Sequence, residues 1–481
     1  MYNFKYNKSL CVFPWIHNYQ GPRYARQLCC TATPDMPELT GTTEQEYMNS
    51  PRMKQIRLDM LEGKKIDACS NCYYREDAGM TSMRKNSWGF INARRWYEDI
   101  EVGKDSLLEL GDISSMIDSL PDGIRDAKIK EYQEKEFDRL IANTDEHGHI
   151  TNKPTYYDIR TIHCNLQCVS CGDTFSSEHI NLSKKMGTGA GSFKPDYKFE
   201  DNTADEMIQG LKDKRINSLY WAGGEPFMSP LHWKVMEAIL ELRKNPEYTE
   251  YIDLIKVHYN TNLTKSKWKN KSIPEMLSKY KRLYIEASLD GVYETFEYTR
   301  DGANWKEVEK NWQEYYNSDC DMRITTVLSA PVILDIDRYM NYWDNYPGLN
   351  IGVHQYHSQT LNNGFFNPKS WKSIATNFYP DDIIIPQMEY AIKRIKKSKT
   401  TIATFENGRA IQILQEYIKE KRKYSKEYSK MENLMLAKDS SETRDDFHKT
   451  TRLSNILKII NTEAYEWYES IPPLRIETNE I

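Results

Sequence analysis

Between residues 155 and about 358 the chain alternates six short apolar runs with helix-like stretches, and this alternation restricts the fold more than any other feature. The runs are 156–162 (YYDIRTI), 217–222 (NSLYWA), 254–260 (LIKVHYN), 283–288 (LYIEAS), 322–328 (MRITTVL) and 350–354 (NIGVH). Segments such as ADEMIQGLKDKR and HWKVMEAILELRKN separate most of them. Strands that recur with a helix between them are parallel, because parallel neighbours need a crossover, and such crossovers are right-handed. Six units predict an α/β fold, a partial (β/α)6 TIM-like barrel. In that architecture chemistry sits on the loops that follow the strand C-termini.

The loop after the first run is rich in thiols: Ile162-His163-Cys164-Asn165-Leu166-Gln167-Cys168-Val169-Ser170-Cys171-Gly172. Three thiolates at gaps of three and two can wrap one short loop around three corners of an iron–sulfur cubane. The fourth iron then lacks a protein ligand, which is the open position that catalysis requires. Zinc is the competing occupant. A structural zinc takes four ligands, and His163, next to Cys164, is awkwardly placed to be the fourth.

The spacing C-x3-C-x2-C directly after a strand resembles the radical S-adenosylmethionine (SAM) superfamily. Three further segments are similar to that family's motifs. Gly223-Gly224-Glu225-Pro226 follows the second run, as GGEP does; Asn260-Thr261-Asn262 follows the third, with Leu263 in place of a glycine; Ser288-Leu289-Asp290-Gly291 follows the fourth. The resemblance implies a radical SAM barrel in which Cys164, Cys168 and Cys171 hold the [4Fe–4S] cluster that cleaves SAM. It also implies that the Glu225 segment meets the methionyl ammonium, that Ser288 and Asp290 meet the ribose, and that Thr261 and Asn262 line the cofactor site. Ser170 stands where the family has an aromatic residue beside the adenine. Arg323 and His354, on the fifth and sixth runs, are candidates for the same cavity, although either could be structural. The chemistry so implied is reductive cleavage of SAM to a 5′-deoxyadenosyl radical, which abstracts hydrogen from a substrate carbon.

Five more cysteines lie before residue 90: Cys11 in CVFPW, the pair Cys29-Cys30, and Cys69-Ser-Asn-Cys72. Their order resembles the SPASM or twitch auxiliary-cluster module, here placed ahead of the barrel instead of behind it. That resemblance gives Cys11, Cys30, Cys69 and Cys72 as ligands of a second [4Fe–4S] cluster, with Cys29 the alternative to Cys30. A four-cysteine zinc ribbon remains open on the residues alone. The segment from Cys72 through Glu76, Gly79 and Ser82 to Arg84 mixes charge with turn formers and reads as a solvated loop or as part of the barrel mouth. Cys320 stands alone and reads as a buried apolar side chain.

These features divide the 481 residues into an auxiliary module (1–90), a charged helical connector (91–150), the barrel (151–360) and a helical C-terminal region (361–481). A net charge of −5 favours neither a nucleic-acid coat nor an acidic tail. The window 391–430 holds twelve Lys or Arg against four Glu, a solvated helical face first and a handle for RNA second. No apolar run suits a bilayer and no signal peptide is evident, so a cytoplasmic location is expected. Expected partners are SAM, an electron donor such as flavodoxin or ferredoxin, and a peptide or protein substrate ahead of a small sugar or nucleotide. An RNA methyl- or methylthiotransferase and a non-catalytic iron–sulfur scaffold are the alternatives.

Overall fold

The computed structural model describes residues 9–32, 42–77, 82–87, 134–135, 137–185, 194–318, 320–354, 374–397, 407–448 and 452–473. Most of the charged connector expected over 91–150 lies outside them. The chain divides into two compact units: residues 1–164, 192–260 and 275–284, and residues 165–191, 261–274 and 285–481. The N-terminal cysteine-rich segment shares a unit with the first strands of the alternating region.

The first unit is built on β1 (His17–Gln20), β2 (Arg26–Gln27), β3 (Tyr156–Thr161), β4 (Ser218–Gly223) and β5 (Lys256–Thr261). β1 runs parallel to β3, with Tyr19 opposite Asp158, and the short β2 turns back antiparallel on β1. β3, β4 and β5 are parallel, with Asp158, Tyr220 and His258 in one row across them. Alternation along a strand sends neighbouring side chains to opposite faces. Tyr157, Ile159, Leu219, Trp221, Val257 and Tyr259 are therefore buried on one face, while Asp158, Arg160, Tyr220 and His258 share the other.

Helices Tyr197–Lys212 and Pro230–Leu242 cover the buried face. Each begins at a side chain that satisfies an orphan backbone donor: Asp196 accepts from Phe199 N and Ser229 from His232 N. In the N-terminal segment, Arg57 on helix Pro51–Leu61 is fully buried and donates to the carbonyls of Pro14, Met48 and Gly148. One guanidinium thus ties three backbone segments together, in a role that only a five-donor fork can fill.

His232 makes this packing sensitive to acid. Its ring lies edge-on to Trp221 at 5.0 Å and Phe227 at 5.5 Å, and one nitrogen meets Tyr259 Oη at 2.8 Å. Burial lowers its pKa from the ordinary 6.5 to about 3, and burial likewise lowers that of His17 to about 4. The folded values lie below the unfolded one, so the unfolded chain binds protons first. Stability is full above pH 6.5 and falls as the pH drops below it. Each histidine should remove roughly 2 kcal/mol between pH 6.5 and 5. Thermal midpoints measured across that range should decline, and His232→Phe should make that decline shallower. An unchanged slope would mean that the ring is protonated in the folded state.

The second unit contains β8 (Leu283–Ser288) from Ile285 onward, β9 (Met322–Val327) and β10 (Asn350–His354), all parallel, and a small hairpin of β6 (Lys267–Trp268) and β7 (Lys271–Ser272). Ile285–Ser288 of β8 register with Met322–Thr325 of β9. Helices Trp305–Tyr316 and Ile336–Trp343 pack through Trp312 and Trp343, edge to face at 5.0 Å. The C-terminal residues form helices Asp381–Lys396, Asn407–Tyr428, Met431–His448, Leu453–Ile460 and Thr462–Ser470. Among the described residues, no helix is long and apolar enough to cross a membrane.

Candidate active site

The loop after β3 leaves the first unit after Cys164 and enters the second at Asn165. In the first unit, the turn after β4 closes on the backbone beside Cys164. Gly224 N donates to Thr161 O at 2.7 Å and Glu225 N to His163 O at 2.6 Å. Gly223 has φ +102°, and a Cβ on it would stand 2.4 Å from Thr161 O. A Cβ on Gly224 would stand 2.3 Å from His163 O. Both glycines are needed because two backbones meet where no side chain fits. Glu225 is fully buried, and its carboxylate accepts from Phe227 N at 3.1 Å, capping the short turn Pro226–Met228. His163 Nε2 lies 2.9 Å from Glu200 Oε1, which also accepts from Tyr24 Oη at 2.9 Å. No sequence motif pointed to this Tyr24–Glu200–His163 chain.

In the second unit, the loop makes a tight turn in which Cys171 N donates to Cys168 O at 3.0 Å; His179 Nε2 lies 3.0 Å from the same oxygen. Val169 N and Gln167 N donate to Thr299 O and Asp301 O, anchoring the turn to the segment after β8. Arg300 Nη1 reaches Cys168 Sγ at 3.8 Å, and its Nε pairs with Asp290 Oδ2 at 2.8 Å. Burial raises the pKa of Cys168 and the Arg300 charge partly offsets it; burial pushes Cys171 up to about 12. Buried thiols of this kind deprotonate when a metal supplies the missing positive charge. The guanidinium beside Cys168 fits an anionic thiolate.

The other residues assigned to the cofactor are placed as follows. Asp290 is 2% exposed; its second oxygen accepts from Val327 N at 2.7 Å, so both oxygens are engaged by the protein and it positions Arg300. No spacing in the sequence marks this pairing with a partner ten residues away. Asn262 donates to Asn165 Oδ1 at 3.1 Å, Thr261 Oγ1 accepts from Leu263 N, and Leu263 has φ +60°. Leucine here adopts the left-handed conformation that glycine takes without strain. Ser170 and Ser288 are partly exposed. Arg323 pairs with Asp321 at 3.3 Å, and His354 is exposed. Cys320 is half-buried, with Sγ 3.7 Å from Pro274 O.

Four N-terminal thiols share a cavity. Cys11, Cys29, Cys69 and Cys72 line it, together with Phe13, Thr31, Met83 and Arg84 among others. Thr31 Oγ1 lies 3.3 Å from Cys29 Sγ and 3.9 Å from Cys72 Sγ. Burial pushes Cys11 up to about 11 and Cys29 up to about 12, and it raises Cys69 further. Cys30, which the sequence reading favoured, does not line the cavity. It is exposed as a residue, yet burial pushes its thiol up to about 12, with Arg160 and Asp158 as the nearest charges. Arg160 and Asp158, the charges that act on it, stand on the polar face of the sheet. Among the described residues, no three Cys, His, Asp or Glu side chains gather tightly enough to hold a single ion.

On that polar face, Arg160 donates to both oxygens of Asp158 at 2.7 and 3.1 Å, and its guanidinium lies 4.4 Å from the Tyr220 ring. Tyr220 stacks on His258 at 4.4 Å and donates to Asn260 Oδ1. The result is an aromatic and polar surface whose one guanidinium is neutralised within its own strand.

No protein-family model and no curated protein matches the chain. Among solved structures, it is similar to native anSMEcpe with bound AdoMet (16% identity, TM-score 0.33, covering 49% of this chain and 57% of that one). It is also similar to Streptococcus suis SuiB (14%, 0.35, 73% and 64%) and to SuiB bound to precursor peptide SuiA (16%, 0.33, 56% and 52%). The chain thus spans between about half and two thirds of the length of the structures it is similar to.

Proposed function

We propose that the chain is a radical SAM enzyme with a partial (β/α)6 barrel. It holds one [4Fe–4S] cluster at Cys164, Cys168 and Cys171, and an auxiliary one at Cys11, Cys29, Cys69 and Cys72. The observation that carries the reading is the three-thiol loop after β3, with Arg300 against Cys168 and the double-glycine turn closed on the backbone of His163. When bound, the first cluster supplies the electron that cleaves SAM and so releases the radical that acts on substrate.

The chain's own residues then have distinct tasks. Gly223 and Gly224 let the turn after β4 lie flat against the thiol loop. Asp290 orients Arg300, whose charge balances a thiolate at Cys168. The SAM contacts belong to the segments 223–226, 261–262 and 288–290. A peptide substrate is supported by the polar face around Asp158, Arg160, Tyr220 and His258. A polyphosphate or RNA backbone needs uncompensated cations, whereas Arg160 is already paired; aromatic rings and mixed donors suit amides and side chains.

The test is anaerobic reconstitution with iron and sulfide counts, followed by reduction with SAM. Wild type should bind about eight irons and form 5′-deoxyadenosine. Cys29→Ala should bind about four, and Cys30→Ala about eight. The reverse result would return the ligand role to Cys30. Zinc at the N-terminal site would remove the auxiliary cluster.

A further inference from the structure

We infer that Arg84, held in place by Glu76, is a positioning residue that sets the reduction potential of the auxiliary cluster; the inference rests on the proposed function above. Arg84 is the one charged side chain among the described residues that line the four-thiol cavity. The rest of the wall, including Phe13, Leu28, Ala68 and Met83, is largely apolar. Charge acts strongly across such a lining because little solvent screens it.

The guanidinium is fully committed. Arg84 Nε donates to Glu76 Oε1 at 3.0 Å, Nη2 donates to Glu76 Oε2, and Nη1 donates to Leu10 O at 3.0 Å, the carbonyl just before Cys11. The two side chains are only 10% and 11% exposed, and Ser82 Oγ also donates to Glu76. The same short helix, Met83–Asn86, brings a hydroxyl to the site: Cys11 Sγ lies 3.5 Å from Ser87 Oγ, which donates to Arg84 O at 2.6 Å. A planar fork with three fixed acceptors cannot swing away, so its positive charge has one position relative to the thiols. Glu76 does not line the cavity. The nearer charge of the pair is therefore positive.

Four thiolates on a cubane carry excess negative charge, and one-electron reduction adds another unit. A fixed cation at the wall stabilises the reduced form and raises the potential. Removing it lowers the potential, and removing the more distant anion raises it. These opposite signs separate an electrostatic role from a purely structural one.

The experiment uses the full chain carrying Cys164→Ala, Cys168→Ala and Cys171→Ala, so that only the N-terminal cluster contributes iron and signal. Redox titration followed by electron paramagnetic resonance should place Arg84→Gln below this parent and Glu76→Gln above it. Arg84→Lys, which keeps the charge, should lie closer to the parent than Arg84→Gln. Should Arg84→Gln fail to retain iron because Glu76 is left unpaired, the upward shift of Glu76→Gln still decides the matter. Unchanged potentials, or shifts of the same sign, with about four irons retained would overturn the inference alone. A parent without iron would overturn the auxiliary-cluster reading and this inference with it.

Discussion

Cys168→Ala should abolish 5′-deoxyadenosine formation while leaving the fold intact. The turn around Cys168 is held by its backbone: its carbonyl accepts from Cys171 N at 3.0 Å and lies 3.0 Å from His179 Nε2, and Val169 N donates to Thr299 O. Alanine keeps all three contacts. The thiol itself is buried, with Arg300 as its polar neighbour, so the substitution removes the proposed ligand and leaves Arg300 its ion pair with Asp290. The expected loss exceeds the 10- to 100-fold that removing an outer-shell metal partner typically costs. The variant should also bind about four fewer irons than wild type. Cleavage at the wild-type rate would sink the assignment of this loop, whatever happens at the N-terminal cavity.

Gly224→Ala should cripple the proposed SAM cleavage by a steric route. The added Cβ would meet His163 O at 2.3 Å, His163 C at 2.8 Å and Cys164 Cβ at 3.1 Å. Two of these are backbone atoms, so no rotamer change relieves the clash, and the segment leading into Cys164 must move. Overpacking of this kind costs about 1–3 kcal/mol and sometimes more, and small displacements of a reacting geometry cost about 100-fold in rate. The thermal midpoint should fall by several degrees, and SAM cleavage should fall by at least tenfold. Gly348→Ala is the control: Gly348 also has positive φ, at +86°, but nothing lies within 4 Å of its Cβ position. It should lose some stability through backbone strain and keep full cleavage. Equal cleavage by Gly224→Ala and wild type would mean that the close approach plays no part in the chemistry.

Much of the scaffold was legible in the residues. All six apolar runs became strands, with boundaries shifted by no more than two residues, because burial of alternate side chains is a local pattern. The C-terminal helices were legible from their helix-compatible composition. The strand β1 was not: HNYQ is short and polar, and its pairing with β2 and β3 makes it a strand. Arg300 was missed because nothing in TRDG marks a residue that reaches a thiol 132 positions earlier. Arg84 was seen only as part of a charged loop. Its partners, Glu76 and the carbonyl of Leu10, come together through folding.

The pair Cys29-Cys30 shows where the division falls. The sequence alone determined which residue types were on offer: three thiols in one loop, a double glycine, and five more cysteines near the N-terminus. It did not determine which of two adjacent thiols enters the cavity. In the folded chain Cys29 lines the cavity with Cys11, Cys69 and Cys72, while Arg160 and Asp158 are the charges that act on Cys30. Both surroundings are assembled from segments far apart in the chain, as is the pairing of β1 with β3 across more than 130 residues, and no local pattern encodes them. Spacing sets the chemistry a chain can attempt; tertiary pairing decides which atoms are present to perform it.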